Sequence, residues 1–210
     1  MKRILIVLFA CLLAAGVLFG IAGITATNLF ASGGLRGSGN IVTKRIEAPD
    51  FAAIDASRAV KVIVTDALTD EIVIEADDNV MEKVLVESRR GTLFVGIDKS
   101  VRRISDHSVT VRVPANGEIR ALDASSAAKA RLSGRSRWCE VDVSSAANFD
   151  AGRLVVAHGL IDASSGASAD VHCTDTLRAS ASSGADISYS GECKVEAQHS
   201  SGGSVHSINR

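Results

Sequence analysis

Leu122-Asp123-Ala124-Ser125-Ser126, Val141-Asp142-Val143-Ser144-Ser145, Ile161-Asp162-Ala163-Ser164-Ser165, Ala179-Ser180-Ala181-Ser182-Ser183 and Ala197-Gln198-His199-Ser200-Ser201 are five versions of one unit. Their first serines are separated by 19, 20, 18 and 18 residues. A fixed period near 20, with apolar residues at alternate positions and small residues behind them, is how a stacked solenoid of short strands is written in sequence. The fold class expected is therefore all-β, a β-helix-like solenoid.

Within a unit the side chains alternate. A strand over Leu122–Ser125 puts Leu122 and Ala124 on one face and Asp123 and Ser125 on the other. One such strand is too short to bury anything alone, but stacking at about 4.8 Å builds columns. Leu122, Val141, Ile161, Ala179 and Ala197 form one inward column, and Ala124, Val143, Ala163, Ala181 and His199 the next. The second column is mostly alanine, so the interior is narrow, in keeping with 4% aromatic residues in a chain that is 46% hydrophobic. Each serine pair is followed by Ala127-Ala128, Ala146-Ala147, Gly166-Ala167, Gly184-Ala185 or Gly202-Gly203, residues suited to a tight corner. The alanine corners are expected to differ in type from the glycine ones. A second short strand should follow each corner.

Met1-Lys2-Arg3 is a positive leader and Ile4–Ile24 is uncharged and apolar over 21 residues, the pattern of an export signal at 1–31. Cleavage near Ala26 or Ala31, retention as an anchor, and lipidation at Cys11 are its three alternative fates. Each places the remaining chain outside the cytoplasm, in the periplasm, at the membrane or on the cell surface, with membrane contact only through this segment. Residues 32–40 (SGGLRGSGN) read as a tether, and 41–210 as one domain, with larger residues over 41–118 and the serine repeats over 119–210. In the first half, Ile54-Asp55-Ala56-Ser57, Glu75-Ala76-Asp77-Asp78 and Ile97-Asp98-Lys99-Ser100 keep the rhythm, and Asn79–Val86 is the one stretch with helical character.

Set in this order, Gly39-Asn40-Ile41-Val42, Phe51-Ala52-Ala53-Ile54, Val60-Lys61-Val62, Ala76-Asp77-Asp78-Asn79, Gly91-Thr92-Leu93-Phe94-Val95, Val111-Arg112-Val113-Pro114 and the Ser-Ser-Gly-Ala units at 164–167 and 182–185 carry a family resemblance. Over Gly37–Ser207 the chain resembles the putative auto-transporter adhesin, head GIN domain family. The resemblance implies an exported, β-helix-like domain without known catalytic residues, adhesin-like in role.

The sharpest chemical feature is a column of acids. Asp123, Asp142 and Asp162 recur at one position, Asp55 fills the matching slot upstream, and Ser125, Ser144 and Ser164 run beside them. Stacked carboxylates about 4.8 Å apart raise one another's pKa or share a cation, and equally they solubilise the outside of a solenoid. The same spacing is that of a retaining glycosidase pair, but repetition produces it here and the sequence does not distinguish one aspartate from another. Ser126-Ala127-Ala128-Lys129 has SxxK spacing on a strand corner rather than a helix, and the equivalents of Lys129 are Asn148, Ser168 and Asp186. The five histidines form no spaced set, and no Cys/His ligand pattern appears, so neither a metal nor another cofactor is expected. Cys173 and Cys193 are 20 residues apart, one repeat, so they read either as a disulfide between neighbouring coils or as buried thiols, and Cys139 reads as core. A net charge of −1 with scattered basic residues gives no reason to expect nucleic acid. The function expected is non-enzymatic binding or scaffolding at the envelope, with polysaccharide, a surface protein or a second copy as partner. The alternative is a polysaccharide hydrolase or lyase, which would require an asymmetric acid cluster, or an acid with basic residues, in a groove.

Overall fold

A computed structural model describes residues 34–65, 69–115 and 118–208. The chain divides into Met1–Leu35 and Arg36–Arg210. The expected export signal at 1–31 lies outside the described residues.

The second unit is all-β and forms a solenoid of about four turns. Its repeating coil is set by three long strands, β11 (Lys129–Val143), β12 (Asn148–Ala163) and β13 (Ser168–Ala181), which pair in parallel. Each leaves a serine corner on one face, bends, and returns on the opposite face. The separate short strand expected after each corner is therefore corrected for these coils. Register shifts between Arg131 and Ser133, and on β12 between Ala151 and Val155 and between Val156 and His158, locally interrupt the ladder and turn the chain.

On the first face, β10 (Ala121–Ala124) and the last segments of β11, β12 and β13 lead to β15 (Lys194–His199). Leu122 pairs with Val141, Val141 with Ile161, Ile161 with Ala179 and Ala179 with Ala197, the inward column read from the sequence. The column is buried as far as Ala179, whereas Ala197 and His199 lie exposed on the edge strand. On the second face, the first segments of the long strands lead to β14 (Asp186–Ser190) and β16 (Ser204–Ser207). Phe149, with 1% of its surface exposed, fills the gap between the faces.

The first half keeps the strands but not the order. β3 (Ala53–Ala56) and β4 (Lys61–Thr65) make one coil, and β7 (Thr92–Ile97) and β9 (Val109–Pro114) the coil outside it. β3 lies between β7 and β10, so a strand early in the chain stacks against one that follows it by more than sixty residues. The end of the stack is closed by antiparallel strands, β6 (Val84–Arg89) on β7, and β5 (Glu71–Asp77) on β9 with β2 (Ile41–Glu47) outside it. Two-residue strands β1 (Leu35–Arg36) and β8 (Ile104–Ser105) lie off this sheet.

Three expectations change here. Glu75-Ala76-Asp77 ends antiparallel β5 and Asp78 opens the helical turn after it, so this stretch does not close a coil of the parallel stack. The helical stretch shrinks to one turn, α1 (Asp78–Met81), because Val84 and Val86 pair with Ile97 and Val95. The end of the expected tether is docked: Gly39 N–H donates to Asp77 Oδ1 at 2.7 Å, Ser38 Oγ to Asp78 Oδ1 at 2.5 Å and Asn40 Nδ2 to Asp78 Oδ2 at 2.9 Å. Gly37 is packed so closely that a Cβ would lie 2.4 Å from Asp106 O.

The corners also differ from expectation. Ser126 and Ala127 have φ of 52° and 60°, Ser145 and Ala146 53° and 60°, Ser165 and Gly166 54° and 70°, so alanine and glycine corners share one geometry. Ala128 N–H bonds Ser125 O at 3.0 Å, closing a turn with both central residues left-handed, which is type I′. Ala127 N–H then donates to Ser145 O of the next coil at 3.0 Å. Stacking between coils thus holds alanine in a conformation it otherwise avoids.

Candidate functional site

Register brings the acids together. On the first face Asp55 pairs with Asp123, Asp123 with Asp142 and Asp142 with Asp162, after which the column continues as Ser180 and Gln198. At its other end the rung beside Asp55 is Phe94, and Asp98 lies off the column. Neighbouring parallel strands set the rungs about 4.8 Å apart. Ser125, Ser144 and Ser164 lie half-buried at the corners beside it.

The four aspartates are not equivalent, which corrects the sequence reading. Asp123, Asp142 and Asp162 are exposed on a flat face, whereas Asp55 is half-buried. Burial raises the Asp123 carboxyl above its ordinary value, and the Asp55 and Asp142 charges add to the shift. Burial also raises Asp55, against the opposing pull of the Lys99 ammonium. Asp55 sits in a groove of about 570 Å³ with Arg58, Phe94, Lys99 and Ser125 on its walls. Phe94 is 38% exposed there, an apolar side chain among charges. Nothing in the unit repeat marks this groove, because β6, β7 and the β7–β9 connection that form it lie outside the repeats.

The carboxylates stand in a row rather than converging. Among the described residues no group of three His, Cys, Asp or Glu side chains could hold a metal ion. Lys129 opens β11 opposite Lys61 and Asn148, so Ser126 and Lys129 flank a strand corner. Cys139 is buried and its thiol is pushed up to about 12, first by burial and then by Glu118 and Glu140. Cys173 is buried and half-buried Cys193 lies against it as a second free thiol; burial first, and then the Cys173 thiol, push Cys193 up to about 11.

The sequence reading also passed over Trp138. It is 49% exposed on β11 with His158 beside it, ring centroids 6.2 Å apart. Its signal was available: the only tryptophan of the chain stands at an outward position of a repeat whose other outward residues are polar.

The fold and this face define a β-solenoid that presents flat, in-register rows of polar side chains. The chain belongs to the family described as "Putative auto-transporter adhesin, head GIN domain", which matches residues 50–131 and 116–193. Similar solved structures include a putative adhesin from Bacteroides fragilis NCTC 9343, at 18% identity over 83% of this chain and 100% of that one with a TM-score of 0.50. A putative adhesin from Parabacteroides merdae ATCC 43184 matches at 17% identity over 83% and 99%, with a TM-score of 0.42. A putative lipid binding protein from Parabacteroides distasonis ATCC 8503 matches at 12% over 83% and 99%, with a TM-score of 0.43. No curated protein matches the chain. These likenesses concern the fold. Among the described residues no helix is long and apolar enough to cross a membrane.

Proposed function

We propose that the protein is an exported, non-enzymatic, adhesin-like binding module of the cell envelope, which engages polysaccharide or a surface protein through its first face and takes no cofactor. The observation that carries this reading is the row Asp55, Asp123, Asp142, Asp162, in register across four neighbouring strands and opening at Asp55 into the groove beside Phe94. A rigid face of repeated groups suits a ligand that repeats along its own length, since each rung adds contact without new ordering cost. The leader, Met1 to Ile24, supports export, and family membership supports an adhesin-like role. Edge strands β15 and β16, with Ala197 exposed, support self-association as a further partner mode.

A hydrolase or lyase is the second reading, and one observation favours it. Asp55 with Lys99 and Arg58 in a groove is an acid beside two cationic side chains, and its environment differs from that of its neighbours. One experiment tests both. The protein is incubated with immobilised envelope polysaccharides and envelope extracts, retention is recorded, and the ligand is analysed by mass spectrometry. Retention without change, with graded losses for Asp123→Asn, Asp142→Asn and Asp162→Asn, is expected for the binding module. Turnover abolished by Asp55→Asn alone would replace it with the enzyme.

A further inference from the structure

Trp138 stands on a built shelf. Outward side chains on the return run of the coils form two adjacent rows. One is Trp138, His158, Thr176 and Lys194, and the other Glu140, Leu160, Arg178 and Glu196. At about 4.8 Å per rung and about 3.3 Å per residue, the patch measures roughly 14 Å by 7 Å. A shallow groove of about 420 Å³ lies over it, within the range of about 300–1,000 Å³ usual for small-ligand sites. It lies on the first face beside the aspartate row, with the Glu140 row between them; Trp138 and Asp142 are four residues apart on one strand, about 13 Å.

The tryptophan is held in place by its surroundings. Glu118 accepts the backbone N–H groups of Arg137 and Trp138, the latter at 3.4 Å, and these bonds keep its carboxyl below the usual range. Ser136 Oγ, in a buried residue, lies 2.7 Å from Trp138 O and 3.1 Å from Ile119 O. On the ring's flank, His158 Nδ1 is 2.8 Å from Thr176 Oγ1, and its Nε2 is 3.6 Å from Asp175 Oδ2. Next to it Arg178 donates Nε and Nη2 to Glu196 Oε2 at 3.1 and 2.9 Å. The shelf therefore has one exposed aromatic ring and a rim of donors and acceptors, with Arg178 paired to Glu196 and the carboxylates of Glu140 and Asp175 set against the ammonium of Lys194.

We propose that Trp138 is the platform of a binding site for a neutral pyranose chain. A pyranose ring has C–H bonds on its face and hydroxyls around its edge, so it needs an apolar plane with polar groups at the rim, and this shelf supplies both. A lipid or apolar peptide would cover Arg178 and Glu196 without giving them new partners. An anionic glycan would meet the like charges of Glu140 and Glu196, with Arg178 already paired to Glu196. The inference rests on the reading of the chain as a surface binder, and adds a site and a ligand class to it.

The test uses the whole protein, whose single tryptophan reports from the site itself. Soluble neutral β-glucan and mannan oligosaccharides, and uronic-acid oligosaccharides as the anionic set, are titrated while emission and acrylamide quenching are followed. A neutral set that shifts the emission saturably, halves the quenching, and binds equally in 50 and 500 mM salt is expected. Read by titration calorimetry, which needs no tryptophan, Trp138→Ala should weaken that binding at least tenfold with the unfolding midpoint unchanged, and Trp138→Phe should recover part of it. Retention of polysaccharide with Trp138 emission unmoved overturns this site while leaving the surface-binding reading intact. A shift produced only by the anionic set, and lost in 500 mM salt, overturns the ligand class. No retention of any polysaccharide or envelope extract removes both.

Discussion

Replacing Ala127 and Ala146 by glycine should stabilise the protein, although both substitutions remove a methyl group. Each alanine is the second central residue of a type I′ corner, with φ of 60° at both positions. The left-handed region costs a residue with a Cβ about 1–2 kcal/mol, which glycine is spared. Glycine also frees the unfolded chain, which returns about 0.4–1 kcal/mol against the change. The net expectation is about 0.5–1 kcal/mol per site. The midpoint should rise by about 2–4 °C for each kcal/mol in a chain of this size. The corners touch, Ala127 N–H to Ser145 O at 3.0 Å, so the double variant completes a cycle that measures their coupling. The reverse changes, Gly166→Ala and Gly184→Ala, should cost a similar amount. A Cβ at either glycine would meet nothing within 4 Å, so the loss would come from backbone strain and not from a clash. Thermal unfolding followed by circular dichroism reads all five variants against the wild type. A fall in midpoint for Ala127→Gly and Ala146→Gly, or no change for Gly166→Ala and Gly184→Ala, would refute the reasoning, because coil stacking would then set the cost of a corner regardless of its residue.

Phe149→Ala empties the largest fully buried position and should cost about 3–5 kcal/mol, read as a lower urea midpoint. Asp123→Asn should be stabilising at pH 7, within the roughly 0.5 kcal/mol usual at exposed positions, and neutral in acid. Its folded pKa lies above the unfolded 3.8, so stability linked to the bound proton is full below 3.8 and is lost as pH rises through the folded value; identical midpoint–pH profiles for variant and wild type would remove the effect. Glutathione disulfide should join Cys173 to Cys193, the two thiols losing two protons and two electrons as it is reduced to two glutathiones. Closing this loop is worth about 3 kcal/mol by chain entropy, and peptide mass spectrometry should find the pair linked with Cys139 free, whereas alkylation of both after oxidation would refute the pairing.

The repeats made the coil legible and the coil made the acidic row legible. Leu122, Val141 and Ile161 fall in register as the spacing requires, and so do Asp55, Asp123, Asp142 and Asp162. What periodicity could not carry was order in space. A twenty-residue rhythm places Glu75-Ala76-Asp77-Asp78 one coil after Ile54-Asp55, yet β5 runs antiparallel at the end of the stack. Hairpins and coils share the same alternation of apolar and polar residues, and only long-range pairing separates them. The alanine corners misled for a related reason. A local rule reserves left-handed turns for glycine, but a ladder of hydrogen bonds from coil to coil holds alanine there as well.

That rearranged order is also what gives the acidic row its direction. Had β3 stacked in chain order, Asp55 would lie on a flat face like its neighbours. Because β3 is inserted between β7 and β10, Asp55 has Asp123 on one side and Phe94 on the other. The row therefore runs from an enclosed end, with Lys99, Arg58 and an aromatic ring, to an open end of serine and glutamine. A repeating ligand laid along it would meet different environments at the two ends of the row and would be held in one direction only. Uniform ladders bind in either direction and at any offset, so the asymmetry at Asp55 is what would turn a sticky face into a specific one. Substitution at Asp55 should then alter which ligands are held, while substitution at Asp142 or Asp162 should alter only how tightly.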